Sequence, residues 1–204
     1  MGILSSSASI TRYKVDGTEE EPIVDMVMNG LTKYSIGEFD DDISEKTVGW
    51  TSIANPFQPN FKDSSFIIGQ YFIFCLRIDK KTIPFKTLNK HYVLELSRRQ
   101  TESGRKYFSK NEKKTIKDHV INVLSLRIPS TPNVYDIVWN YEESILWYFS
   151  NLKNADEELE TLFLKSFNLN LIRLFPFTMA DIFVGLSDTE RDVLYKIGHT
   201  NFVA

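Results

Sequence analysis

The residues of this chain best suited to chemistry are the lysines and arginines between positions 77 and 117. That segment holds 13 of them against 4 acidic residues, a local charge of 13 − 4 = +9, whereas the whole chain carries −3. Such asymmetry predicts a specific surface for an anionic partner, and a phosphate backbone offers anionic oxygens at regular spacing. The candidate contact residues are Arg77, Lys80, Lys81, Lys86, Lys90, Arg98, Arg99, Arg105, Lys106, Lys110, Lys113, Lys114 and Lys117.

Two helices, at about 83–100 and 110–127, are predicted to position most of these cations. Apolar residues recur at helical spacing in both, within an arc of about 80° in the first. "SKNE" has the spacing of a capping box from Ser109 to Glu112. Packed through their apolar stripes, the helices would carry cations along one flank and around a tip near Gly104. The stripes are Phe85, Leu88, Tyr92 and Leu96 in the first helix, and Ile116, Val120, Val123 and Leu124 in the second.

The pattern of the basic segment favours contact with a nucleic-acid backbone. It contains neither a recognition-helix motif nor a series of aromatic residues at stacking spacing. Readout of base sequence is therefore not implied, and binding should be salt-sensitive and tolerant of sequence. Two alternatives stay open: a face that is merely solvated, and an interaction protein that docks the same hairpin on an acidic partner.

The rest of the chain predicts an α+β fold with antiparallel or mixed sheets and packed helices. Strands are expected in "SASITRYKV", "TVGWT", "SSFIIGQYFIFCLRI" (turning near Gly69), "NVYDIVWN", "SILWYFS" and "LNLIRLFPF". Helices are expected after Pro22, in "NADEELETLFLKSF" with Asn154 or Asp156 as its cap, and in "SDTERDVLYKIG". The body would comprise 1–78 and 130–204, with 79–129 inserted as a protruding, finger-like basic helical hairpin.

Other chemistry finds little support in the sequence. A metal-dependent exonuclease would need converging carboxylates. No motif such as Asp-x-Glu…Glu-x-Lys ties the candidates to a strand scaffold: Asp40, Asp41, Asp42, Asp136, Glu142 and Glu143. His91, His119 and His199 lack ligand spacing, so no catalytic residue, metal ligand or cofactor is assigned. Cys75 reads as a small buried hydrophobe. With neither a signal-peptide pattern nor a membrane-length apolar run, a soluble, cytoplasmic protein is expected.

A family resemblance follows from these residues. "LRIDKKTIP", the long basic helical segment and "IKDHVINVLSLR" resemble the recombination-associated protein RdgC family in their order. Gly49 and Trp50 match a Gly-Trp pair of that family, and the strands around "NYEES" match in order and spacing. The similarity covers most of residues 1 to about 180 and is carried by short motifs.

The resemblance implies an α+β protein that binds double-stranded DNA with little sequence preference, associates with the nucleoid and limits recombinase access. It also implies a ring-like homodimer, and the family is often labelled an exonuclease. Arg77, Lys80 and Lys81 match its basic tract, and Lys113, Lys114 and Lys117 match the Lys-rich start of its second helix. Family members continue beyond the position of Ala204, and Pro129 departs from their pattern, so an open dimer or a monomer remains an alternative.

Overall fold

A computed structural model describes residues 2–18, 22–37, 44–61 and 66–198 of the chain. Within these ranges it contains strands and helices in mixed order, which confirms the predicted α+β class. The strands are β1 (Thr11–Asp16), β2 (Lys46–Thr51), β3 (Ile67–Ile68), β4 (Tyr71–Lys80), β5 (Thr131–Asn140), β6 (Ile145–Tyr148) and β7 (Asn170–Arg173). The helices are α1 (Ile23–Lys33), α2 (Phe85–Ser103), α3 (Lys110–Ser125), α4 (Lys153–Phe167), α5 (Pro176–Phe183) and α6 (Asp188–Lys196).

The strands are hydrogen-bonded in the order β2-β4-β5-β6-β1-β7, and β3 pairs with β4. Pairing is antiparallel for β1 with β6 and β7, for β4 with β2 and β3, and for β5 with β6. The turn predicted near Gly69 is confirmed, since Gly69 has a φ of 59° between β3 and β4. That left-handed conformation is open to glycine at little cost.

The chain divides into two compact units: Met1–Gly30, Phe61–Phe74 and Tyr135–Ala204 form the first, and Leu31–Asn60 and Cys75–Val134 the second. These boundaries differ from the 79 and 129 expected for an inserted hairpin. The helical hairpin of α2 and α3 belongs to the second unit, together with β2 and the second half of β4. The 13 candidate contact residues between positions 77 and 117 therefore belong to one compact unit.

The first unit has an aromatic core around Trp139, which is almost fully buried. Its ring centroid lies 5.4 Å from that of Phe72 and 5.2 Å from that of Phe163. Phe163 in turn lies 4.8 Å from Phe167. Edge-to-face pairs of this kind stabilise a core beyond the area that they bury. The predicted apolar stripe of α4 is confirmed, because Leu159, Leu162, Phe163 and Phe167 are all buried.

The second unit is centred on β2, where Trp50 is fully buried. The Trp50 carbonyl accepts a hydrogen bond from the Ile36 amide at 2.9 Å, and the Trp50 amide donates to the Tyr34 carbonyl at 2.9 Å. Gly49 makes this close approach feasible, since a Cβ there would lie 2.6 Å from the Ile36 Cα. Cys75 is buried on β4, as predicted.

Two local predictions were wrong. Leu152, not Asn154 or Asp156, is the N-cap of α4, and Asp156 lies buried inside the first turn. The final strand ends at Arg173, and α5 follows from Pro176, where "LNLIRLFPF" had predicted continued strand. Proline with its fixed φ is well suited to a first helical turn, and this signal outweighed the apolar run. Within the described ranges, none of the helices combines the length and apolar character of a membrane span.

Candidate nucleic-acid interface

The helices of the basic hairpin are bounded by sequence signals of different kinds. The N-cap of α2 is Pro84, which has extended backbone, and Gly104 ends the helix with a left-handed φ of 66°. α3 begins at a complete capping box: the Glu112 amide donates to Ser109 Oγ at 3.2 Å, and the Ser109 amide donates to Glu112 Oε2 at 2.7 Å. Hydrogen bonds from Ser109 to the Glu112 carboxylate, first that of the backbone amide and then that of the side chain, lower the pKa of Glu112. The predicted box is confirmed.

The two helices cover their apolar stripes to different degrees. On α3, Ile116, Val120 and Leu124 are buried, as predicted. On α2 no residue is fully buried: Leu88, Tyr92 and Leu96 are half-buried. Phe85, predicted in the same stripe, is instead 77 % exposed. Phe85 is the first residue of α2, so its side chain lies at the end of the stripe rather than within it.

Four lysines of α3 form one stripe, which we call the lysine stripe: Lys110, Lys113, Lys114 and Lys117. Their i, i+3, i+4, i+7 spacing places them within an arc of about 100° beside the buried face, over about 10 Å of helix. All four are exposed, and none forms an ion pair within the part of the chain that the structure describes. Over about 10 Å of its axis a duplex presents roughly six phosphates, so each lysine could face one.

The lysines of α2 lie on its exposed face, one turn apart. Lys86 and Lys90 are both exposed at i, i+4 spacing. The two arginines near the end of the helix differ, because they are held by Glu95. Arg99 Nε donates to Glu95 Oε1 at 2.8 Å, and Arg98 Nη2 lies 3.1 Å from the same oxygen. The bond from Arg99 is the main cause of the lowered pKa of Glu95.

This pairing reduces the charge available from the segment, which the sequence count of 13 cations against 4 acidic residues left unassigned to partners. Arg98 and Arg99 stand at i+3 and i+4 from Glu95, and Arg98 also lies 3.5 Å from Glu102. Ion pairs between helix residues at this spacing stabilise a helix only weakly. The two arginines nevertheless supply less uncompensated charge than the lysine stripe.

The hairpin tip carries Arg105 and Lys106, both exposed. Arg105 Nη1 lies 3.3 Å from Glu112 Oε1, so the capping glutamate is shared between the helix start and the tip. The Lys106 carbonyl accepts a hydrogen bond from Gln100 Nε2 at 2.9 Å. The tip is thus tied to both helices.

Three of the predicted contact residues, Arg77, Lys80 and Lys81, lie at or just after the end of β4. Arg77 and Lys81 are not exposed there. Arg77 donates twice to Asp79, Nε to Oδ1 at 2.8 Å and Nη2 to Oδ2 at 2.5 Å. The same guanidinium donates to the Pro56 carbonyl at 3.3 Å and lies over the Phe57 ring, 5.3 Å from its centroid. Lys81 is only 7 % exposed. The prediction that both residues are exposed contacts is therefore corrected. The Arg77 guanidinium is paired with the Asp79 carboxylate, and Lys81 is buried.

Lys80 remains half-buried at the end of β4, and the sheet adds a cation that the sequence argument missed. The antiparallel register of β2 and β4 places Lys46 directly opposite Lys80. Lys46 is exposed and lies more than thirty positions away in the sequence, so only the pairing brings the two together. Lys46 directly precedes the strand predicted in "TVGWT", and the sequence gives no sign that Lys80 lies opposite it.

Two of the histidines lie close together in the structure although they are far apart in the sequence. His91 of α2 and His119 of α3 line one cleft of about 90 Å³ with Glu95 and Arg127. Among the described residues, however, no group of three or more His, Cys, Asp or Glu side chains could hold a metal ion. Asp136 accepts a hydrogen bond from the Ile3 amide at 2.8 Å. His199, Asp40, Asp41 and Asp42 lie outside the described residues.

The arrangement as a whole offers a row of uncompensated ammonium groups on a firmly capped helix, with further cations on α2 and at the tip. It can bind a repeating anion electrostatically, and contacts to a phosphate backbone carry no base-sequence information directly. Comparison with known proteins adds nothing to this, since no family model and no curated protein matches the chain.

Proposed function

We propose that this protein binds double-stranded DNA through its phosphate backbone, with little preference for sequence. The observation that carries the proposal is the lysine stripe, four exposed lysines within about 100° of one helix face. Ammonium groups in such a row neutralise neighbouring phosphates and release the condensed counterions, which is the main source of sequence-independent affinity.

The resemblance to the RdgC family supplies the biological setting of the proposal. A protein that covers duplex DNA at many sequences competes with any other protein for that DNA. We therefore place it in recombination and replication, where it would limit the access of a recombinase. In this proposal the protein is cytoplasmic, associates with the nucleoid and acts as a homodimer on the duplex.

The test is a titration of two duplexes of unrelated sequence, each of about 30 base pairs, from about 50 to about 200 mM salt. The expected result is equal affinity for both duplexes and a steep, parallel loss of affinity with salt. Sedimentation of the complexes counts the subunits bound per duplex. Absence of binding at the lowest salt would refute the proposal.

A polyglutamate competitor in the same titration tests docking on an acidic protein. Phosphate contacts predict that duplex DNA displaces polyglutamate at equal charge concentration. Preferential binding of polyglutamate would favour an acidic protein partner instead.

A further inference from the structure

The tip of the hairpin, residues 104–109, presents a large aromatic side chain to solvent. Tyr107 is 86 % exposed, between Lys106 and the half-buried Phe108. A tyrosine contributes its apolar ring area only when something covers the ring, and here the fold leaves it uncovered. Arg105 and Lys106 directly precede Tyr107 in the chain. A partner that covers the ring must therefore tolerate positive charge.

The loop that carries Tyr107 is held on both sides. Before it, Gln100 bonds the Lys106 carbonyl at 2.9 Å. After it, the capping box fixes Ser109 against Glu112. An aromatic ring on a tethered loop loses less conformational freedom on binding than one on an untethered loop, which favours recognition.

A cleft of about 420 Å³ opens beside the same tip. It is lined by Arg98, Arg99, Glu102, Ser103 and Phe108. Guanidinium planes and aromatic rings are the groups on which bases stack, and arginine also bonds phosphate oxygens. The Tyr107 ring, the cleft and the cations are therefore complementary to one nucleotide, which has a flat base and an anionic phosphate.

We infer that the hairpin tip binds an unpaired nucleotide at the end or gap of a DNA duplex, with the base stacked on Tyr107. Paired bases inside a duplex keep both faces in the stack, so an aromatic ring reaches a base only where pairing stops. The inference rests on the proposed function, because the lysine stripe would hold the adjoining duplex.

The geometry of the chain allows both contacts at once. Lys110, the first member of the lysine stripe, follows Tyr107 by three positions in the chain, so their Cα atoms lie within about 11 Å of each other. A strand whose phosphates follow the stripe can therefore deliver its terminal nucleotide to the tip. The ligand is a junction between double-stranded and single-stranded DNA.

The test compares a blunt duplex with the same duplex extended by a short single-stranded overhang that contains 2-aminopurine. The variants are Tyr107→Ala and Tyr107→Phe, with Tyr195→Ala, an exposed tyrosine of α6, as the matched control. We expect wild type to prefer the overhang duplex and to quench 2-aminopurine fluorescence. Tyr107→Ala should weaken overhang binding by about 5- to 150-fold, the effect of losing one base–aromatic stack, while blunt-duplex affinity stays unchanged.

Tyr107→Phe keeps the ring and should keep both the preference and the quenching. Because Tyr107 is exposed, both Tyr107 variants should unfold at the wild-type temperature. Equal wild-type affinity for both duplexes, or equal weakening of both by Tyr107→Ala, would overturn this inference and leave the proposed function standing. If neither duplex bound at low salt, this inference and the proposed function would both be overturned.

Discussion

Neutralising three members of the lysine stripe should change how steeply DNA affinity depends on salt. The perturbation is Lys113→Gln, Lys114→Gln and Lys117→Gln together, which takes the net charge from −3 to −6. Glutamine keeps the length and helix propensity of these positions nearly unchanged, so α3 should remain folded. The change therefore isolates charge from structure.

The magnitude follows from counterion release. Each phosphate contact contributes about 0.9 to the slope of log affinity against log salt concentration. Removing three contacts should make the slope shallower by about 2.7, so over a fourfold rise in salt the wild type loses about 40-fold more affinity than the variant. The exposure of all three lysines supports counting each as a full contact.

The assay is fluorescence polarisation of a labelled duplex at several salt concentrations. The matched control replaces Lys153, Lys165 and Lys196 with Gln, exposed lysines of α4 and α6 that reach the same net charge. The control should keep the wild-type slope, because its lysines lie outside the hairpin. An unchanged slope in the hairpin variant, or an equal change in the control, would refute the assignment of the lysine stripe.

Three further predictions concern stability and are checked by denaturant or thermal unfolding. Gly49→Ala should destabilise the protein by about 1–3 kcal/mol, since its Cβ would lie 2.6 Å from a backbone atom, whereas Gly37→Ala, with open space, should cost far less; equal costs would contradict the close approach. Ser109→Ala should cost about 0.5–2 kcal/mol by removing the cap of α3, and wild-type stability would show that the cap is dispensable. Burial raises the pKa of Asp156, so the folded state holds the proton more tightly than the unfolded state does, and the stability that this contributes is lost as pH rises from the ordinary aspartate value through the raised one. Asp156→Asn should therefore be at least as stable as wild type at neutral pH and lose this dependence, and a large destabilisation there would show that the carboxylate is needed in its charged form.

Local patterns were sufficient for much of the fold and for the centre of the candidate site. Helical periodicity predicted α3, its buried face and its capping box, and the spacing of Lys110, Lys113, Lys114 and Lys117 already places them on one stripe. These features depend on residues within one or two turns, so sequence alone determines them.

Some of the corrected predictions could have been made correctly from the spacing of residues along the sequence. Arg77 and Asp79 share one face of a strand because side chains alternate with period two, and Glu95 stands at pairing distance from Arg98 and Arg99. Counting charge without assigning these partners overstated the number of available cations. Cations that form ion pairs with near neighbours should be subtracted from such a count before the available charge is estimated.

Other features were decided by the tertiary structure. The pairing of Lys46 with Lys80 depends on the register of two strands far apart in sequence. The burial of Lys81 and the exposure of Phe85 and Tyr107 depend on what packs over each side chain, which no local pattern states. Sequence by itself determined which residues carry charge and which helix face presents them. The tertiary structure decided which of those charges remain exposed, because burial and register arise from contacts between distant parts of the chain.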